Sequence, residues 1–257
     1  MEKPLILVTN DDGIDAEGIA ALENALSAIG DVWTVAPATE QSAISHAITL
    51  WSPVRIHDHG AQRFAVTGTP TDCVYIALSR LLPRRPALCV SGVNHGANLG
   101  DDVIYSGTVA GAAEATLNDI PSIAVSLASY RARQFEDAAA LATRLARGVL
   151  ARGLPRGVFL NLNVPKSAAA SDAIVPTKLG RRYYGKLVAE KADPRNKPYY
   201  WIGGSELGFD DIPGSDCNEI ARDRVTVTPV QLDMTHYKFL RELGTWDELS
   251  YPLEENR

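Results

Sequence analysis

The sequence predicts an α/β fold: a doubly wound, mostly parallel sheet of Rossmann-like form with a C-terminal β-hairpin extension. Three observations carry this expectation. Short apolar runs alternate with longer segments whose apolar residues recur every three or four positions, up to about residue 165. Those runs are unbroken, as in strands covered on both faces. After residue 165 the pattern gives way to aromatic and charged segments around a turn.

The elements follow in order. Leu5 to Val8 reads as the first strand. From Asp15 onward, Ile19, Leu22, Leu26 and Ile29 form one helix stripe, with Gly30 as its stop. Val32 to Ala36 is a strand ended by Pro37, and Arg63 to Val66, Ala87 to Val90, Ser122 to Val125 and Val158 to Asn163 are further strands. Helical patterns cover Asp72 to Leu82, Gly107 to Leu117 and Phe135 to Val149. Strands alternating with helices imply parallel pairing through right-handed crossovers. This places a first domain at residues 1–165 and an oligomerisation region at 166–257. Residues 171–200 hold seven Lys/Arg against three Asp/Glu, and residues 201–223 hold six Asp/Glu against one Arg. Tyr183, Tyr184, Tyr199, Tyr200 and Trp201 flank Asp193-Pro194-Arg195-Asn196, a turn. A long aromatic hairpin leaving the main domain is expected. A strand at Arg224 to Val230 and a short helix near His236 to Leu243 then return.

A chain of 257 residues with 46% hydrophobic and 22% charged residues can bury a sizeable core without a disulfide or a structural metal. The net charge of −6 argues against long nucleic acids, which demand many cationic contacts. It leaves room for a small phosphorylated ligand, because a metal ion can supply the positive charge. Cys73, Cys89 and Cys217 are odd in number and form no CxxC pair, so no disulfide framework is suggested. No apolar stretch reaches the ~18 residues of a membrane span, and the start is too short and too weakly basic for a signal peptide. A reducing cytoplasm and no membrane partner are the expectation.

Asn10-Asp11-Asp12-Gly13 follows the first strand, where open α/β sheets bind ligands. Two adjacent carboxylates repel each other unless a cation lies between them. A turn through Gly13 can swing both toward one point, although an acidic helix start would use the same residues. A polar cluster, Glu40, Gln41, Ser42, Ser45 and His46, follows the second strand. Ser91-Gly92-Val93-Asn94-His95-Gly96-Ala97-Asn98-Leu99-Gly100 follows another. Asp11, Asp12, Ser42 and Asn94 thus offer oxygen ligands from three strand ends, a set suited to Mg²⁺ or Mn²⁺ rather than zinc. Ser106, Gly107 and Thr108 open a helix whose free N–H groups suit a phosphate, while Ser106 also fits a simple cap. There is no Walker A loop and no GxGxxG. His95 reads as a surface-loop residue, Asp72 as a helix cap, and Trp51 and the hairpin aromatics as packing or interface. His46 stays open between loop and site.

Leu7-Val8-Thr9-Asn10-Asp11-Asp12-Gly13, Val35-Ala36-Pro37, Thr67 through Val74, Ser91-Gly92-Val93-Asn94 and Asp102 through Ala110 resemble the stationary-phase survival protein SurE family. The likeness continues through Asn161-Leu162-Asn163-Val164-Pro165 and Val225-Thr226-Val227-Thr228-Pro229. Gln41 and Ala97 depart from it, standing where many members have a basic residue and a proline. The resemblance implies a metal-dependent nucleotidase acting on nucleoside 5′- and 3′-monophosphates, and on short polyphosphate. It implies one divalent ion per subunit, Mg²⁺ or Mn²⁺, held by Asp11, Asp12, Ser42 and Asn94. Asn98, Ser106, Gly107 and Thr108 would surround the substrate phosphate, and Asp11 and Asp12 would serve the chemistry. It also implies a homodimer or homotetramer, formed by exchange of C-terminal parts. Two other readings stay open: an aspartyl-phosphate phosphatase with Asp11 as nucleophile, and a non-enzymatic sensor of metal and nucleotide.

Overall fold

The computed structural model describes residues 3–131, 134–185, 188–202, 207–246, 248 and 249. Its elements are β1 (Leu5–Thr9), α1 (Glu17–Leu26), β2 (Asp31–Pro37), β3 (Ile56–Asp58), β4 (Arg63–Val66), α2 (Pro70–Ile76), β5 (Leu88–His95), α3 (Gly107–Leu117), β6 (Ser122–Leu127), α4 (Glu136–Arg152), β7 (Val158–Val164), β8 (Ile174–Pro176), β9 (Arg182–Tyr184), β10 (Val188–Ala192), β11 (Pro198–Ile202), β12 (Leu207–Phe209), α5 (Asp216–Ile220), β13 (Val225–Gln231) and α6 (Tyr237–Leu243).

The main sheet has nine strands in the order β3-β4-β2-β1-β5-β6-β7-β13-β8. The run from β4 to β7 is parallel throughout. β3 and β13 join antiparallel to β4 and β7, and β8 closes the far end parallel to β13. From β1 the chain winds outward through β2 and β4, then crosses to β5 on the other side of β1. This is the doubly wound arrangement expected from the sequence, and its switch point lies beside β1.

β1 is buried along its whole length, which is why its sequence is unbroken Leu-Ile-Leu-Val-Thr. Successive side chains enter opposite cores. Ile6 and Val8 join Leu22 and Leu26 of α1 and Leu141 of α4. Leu7 joins Val35, Val74 of α2 and Ala115 of α3. Helices therefore cover both faces. Cys73, Cys89 and Cys217 are buried free thiols.

Several boundaries differ from the sequence-based expectation. The helix expected over residues 72–82 begins at Pro70, where Thr69 and Asp72 form a reciprocal capping box, and widens into a π-type turn at Ala77–Leu81. Asp72 is the expected cap, and it also accepts from the Thr49 N–H at 2.8 Å. β5 continues to His95 rather than stopping at Val90. Ser91 and Gly92 break the apolar run before Val93, and Asn94 and His95 follow, while pairing to β6 persists across a register shift between Ser91 and Asn94. Such a bulge re-aims side chains at a strand end.

The expected hairpin is β10 paired with β11, closed by Asp193 Oδ1, which accepts from the N–H groups of Arg195 at 2.8 Å and Lys197 at 2.9 Å. β9 and β12 pair below it, at the base of the arm. The returning strand is β13. Among the described residues, no helix is long and apolar enough to cross a membrane.

Candidate active site

The turn after β1 is closed by Asn10. Its Nδ2 donates to Gly13 O at 2.8 Å and its Oδ1 accepts from Gly13 N at 3.2 Å, while Gly13 takes φ +103°, a conformation natural only to glycine. The turn presents Asp11 and Asp12 at the carboxyl end of β1. Asp11 is 5% exposed. The Thr108 hydroxyl donates to its Oδ1, and the Thr108 N–H also faces the carboxylate. A Cβ at Gly107 would stand 2.7 Å from the Asp11 Cβ, so glycine is what lets the start of α3 close on this acid. Asp12 Oδ2 accepts from the His95 N–H at 3.1 Å.

Burial pushes Asp11 up to about 6; the Thr108 hydrogen bond opposes this and the charge of Asp12 adds to it. Burial also raises Asp12, with the His95 N–H opposing and the charge of Glu40 adding. Among the described residues, no Lys or Arg forms an ion pair with either aspartate. The fold thus holds two carboxylates side by side at an electrostatic cost that a cation would relieve.

Asp11, Asp12, Ser42, Asn94, Asn98 and Ser106 all line one cleft of about 1270 Å³. Asn94 Nδ2 donates to Gly96 O at 2.8 Å, and its Oδ1 takes no hydrogen bond among the described residues. Ser42 is exposed, and its hydroxyl donates to Glu40 Oε1 at 2.6 Å. Ser106 is the N-cap of α3; its Oγ accepts from Val109 N at 3.1 Å. Gly107 and Thr108 do not line the cleft but stand behind Asp11.

The structure brings further residues to the cleft or its supports that the sequence-based reading did not place there. Asn161 and Asn163 on β7 donate to Asn98 O at 2.8 and 3.0 Å, and Asn163 Oδ1 accepts from Asn98 N at 2.9 Å. Two asparagines inside an otherwise apolar strand were the available signal. His95, expected on the surface, is half-buried in the cleft, edge-on to Phe135 at 5.8 Å. His46 pairs with Glu114 at 2.9 Å and ties its loop to α3. Trp51 is 99% exposed, so among the described residues it has no packing partner of any extent. The arm also reaches the site: Asp102 accepts from the Arg182 guanidinium and, at 2.6 Å, from the Tyr184 hydroxyl, and Tyr184 lines the cleft.

The donor chemistry fits a hard divalent cation. Among the described residues, no three His, Cys, Asp or Glu side chains gather as a metal site. Two carboxylates supplemented by hydroxyl and amide oxygens are what the cleft offers. Mg²⁺ commonly binds through one or two carboxylates and keeps waters and substrate oxygens in its remaining positions.

Residues 6–186 match the family model described as Survival protein SurE. The 5′-nucleotidase SurE of Pelobacter propionicus is 52% identical over 94% of this chain and 98% of its own length. That of Geobacter sulfurreducens is also 52% identical, over 94% and 93%. The crystal structure of the SurE protein from Aquifex aeolicus superposes with a TM-score of 0.84 at 36% identity, covering 93% of this chain and 98% of that one. With such likeness along nearly its whole length, in sequence and in backbone alike, the chain belongs to the SurE family.

Proposed function

We propose that this chain is a divalent-cation-dependent phosphomonoesterase hydrolysing nucleoside 5′-monophosphates, with 3′-monophosphates and short polyphosphate as further substrates. One observation carries the reading: two adjacent carboxylates, Asp11 buried and Asp12 half-buried, share one cleft with the capped start of α3 at the switch point of the sheet. Relatives named 5′-nucleotidase support the substrate class.

Asp11, Asp12, Ser42 and Asn94 would hold one Mg²⁺ or Mn²⁺ per subunit. Bound there, such an ion would supply positive charge against the phosphate and a site to orient a water. Thr108 fixes the Asp11 carboxylate, and the His95 N–H fixes that of Asp12. The Ser106 oxygen accepts the cap bond, so its proton is free to be donated to a phosphate oxygen. Asn98, clamped by β7, forms the opposite side. Water adds to phosphorus and the P–O bond to the ribose breaks, giving nucleoside and phosphate. The protein works in the cytoplasm as a homodimer or homotetramer. Phosphate release from AMP and a panel of nucleoside monophosphates, with and without EDTA, tests the reading. Undiminished release by metal-free protein overturns the cation requirement, and no release from any of them overturns the substrate class.

A further inference from the structure

Two chemically different sets of side chains line the cleft: polar Asp11, Asp12, Asn94 and Ser106, and the aromatic and aliphatic Tyr130, Tyr184, Val188 and Ile202, the last three from the arm. At about 1270 Å³ the cleft exceeds the ~300–1,000 Å³ usual for small-ligand pockets. A phosphate fills only a fraction of that space, so the aromatic lining is available to the rest of the ester.

Tyr184 is held there deliberately. Its hydroxyl donates to Asp102 at 2.6 Å, and the Arg182 guanidinium lies 5.4 Å from its ring centroid while also pairing with Asp102. The Asp102 and Arg182 side chains are only 13% and 14% exposed. Burial first, then the bond to Asp102, raises the Tyr184 phenol well above its ordinary value, so it stays a donor. The Asp102 carbonyl also accepts from Ser106 N at 3.1 Å. One residue therefore fixes the spacing between the Tyr184 ring and Ser106. On the loop after β6, Tyr130 lies so close over Gly96 that a Cβ there would come within 2.4 Å of its ring. This sets Tyr130 beside the Asn94–Asn98 loop. Both rings keep accessible surface: Tyr130 is 71% exposed and Tyr184 is 49% exposed.

We propose that Tyr130 and Tyr184, the latter oriented by Asp102 and Arg182, form a nucleobase subsite that grips the flat face of the base by stacking. The inference rests on the phosphomonoesterase reading for the placement of the phosphate. The Tyr184 hydroxyl is committed to Asp102, so the ring face rather than the phenol is what this residue offers. Aromatic faces attract bases of any sequence, because every base presents a flat π-face.

The test compares AMP with ribose 5-phosphate, which lacks the base, and measures adenosine binding directly by calorimetry. In Tyr184→Ala, adenosine should bind roughly tenfold more weakly, the low end of a lost stack. The ratio of kcat/KM for AMP to that for ribose 5-phosphate should fall by a similar factor. Tyr184→Phe, which keeps the ring, should retain most of both. Asp102→Asn should lower the same ratio by loosening the ring. An unchanged ratio in Tyr184→Ala, whether because both esters suffer equally or because neither does, overturns the proposal, as does unchanged adenosine affinity. If adenosine binding depends on Tyr184 while neither ester is hydrolysed, the subsite stands and the hydrolase reading fails.

Discussion

Ser106 caps α3, and the phosphate contact proposed for the same hydroxyl can be separated from that role. Its oxygen accepts from Val109 N as a helix cap, and the residue lines the cleft. Ser106→Ala should cost about 1 kcal/mol of stability through the cap. It should also lower kcat/KM roughly 10- to 100-fold, the worth of a hydrogen bond to a charged group. Ser106→Gly should recover most of the stability, since glycine caps nearly as well, without recovering activity. A melting curve and steady-state kinetics on both variants decide this; activity that tracks stability would make Ser106 a cap alone. Thr108 acts one step further back. Thr108→Val keeps the shape but removes the donor to Asp11, and should weaken Mn²⁺ binding roughly tenfold, as lost ligand-orienting partners do. Asp11→Asn should lose most of that affinity outright. Normal Mn²⁺ titration of either variant contradicts the assigned role.

At the scale of elements, the cleft is built by loops that strands and helices clamp. Asp216 is fully buried at the start of α5, and its carboxylate accepts from Gly100 N at 2.9 Å, Gly180 N at 2.7 Å and Cys217 N at 2.8 Å. It joins the segment leading to Ser106 with the chain entering the arm. Asp216→Ala leaves buried donors without acceptors, at ~1–3 kcal/mol each. Chemical denaturation should therefore show a loss of about 3 kcal/mol or more. A loss under 1 kcal/mol would mean that the loops stand without it. Local pattern made much of this legible in advance. Gly107 to Leu117 was readable because alanine-rich helix follows a serine cap, and Leu5 to Val8 because both faces are buried. The acidic turn, Ser42 and Asn94 were readable as oxygen donors at strand ends. The polar extension of β5, the roles of Asn161 and Asn163, and the Asp102–Arg182–Tyr184 group were not. The first depends on pairing with β6, Asn94 against Ser126, and the others on partners more than 60 residues away, none of which a local period encodes.

For the whole molecule, the two cores on either face of the sheet contain none of the cleft's ligand candidates. Removing the metal should therefore abolish activity while far-UV circular dichroism stays unchanged; collapse of the spectrum would assign the ion a structural role. The arm should carry self-association. Tyr200, Trp201 and Ile202 are exposed on it, and an isolated two-stranded ribbon is marginal in water. Light scattering at micromolar concentration should give at least a dimer, and a monomer mass would refute this. The margins of the main sheet bear on how such contacts form. β3 and β8, its outermost strands, are three residues long, and β8 ends in a proline that has no N–H to offer. Neither margin presents a long row of open backbone groups for another chain to extend. β10 and β11 are longer, five residues each, and among the described residues nothing pairs with their outer sides. Any backbone pairing between copies would therefore fall to the arm rather than to the margins of the nine-stranded sheet, which leave little room for extension.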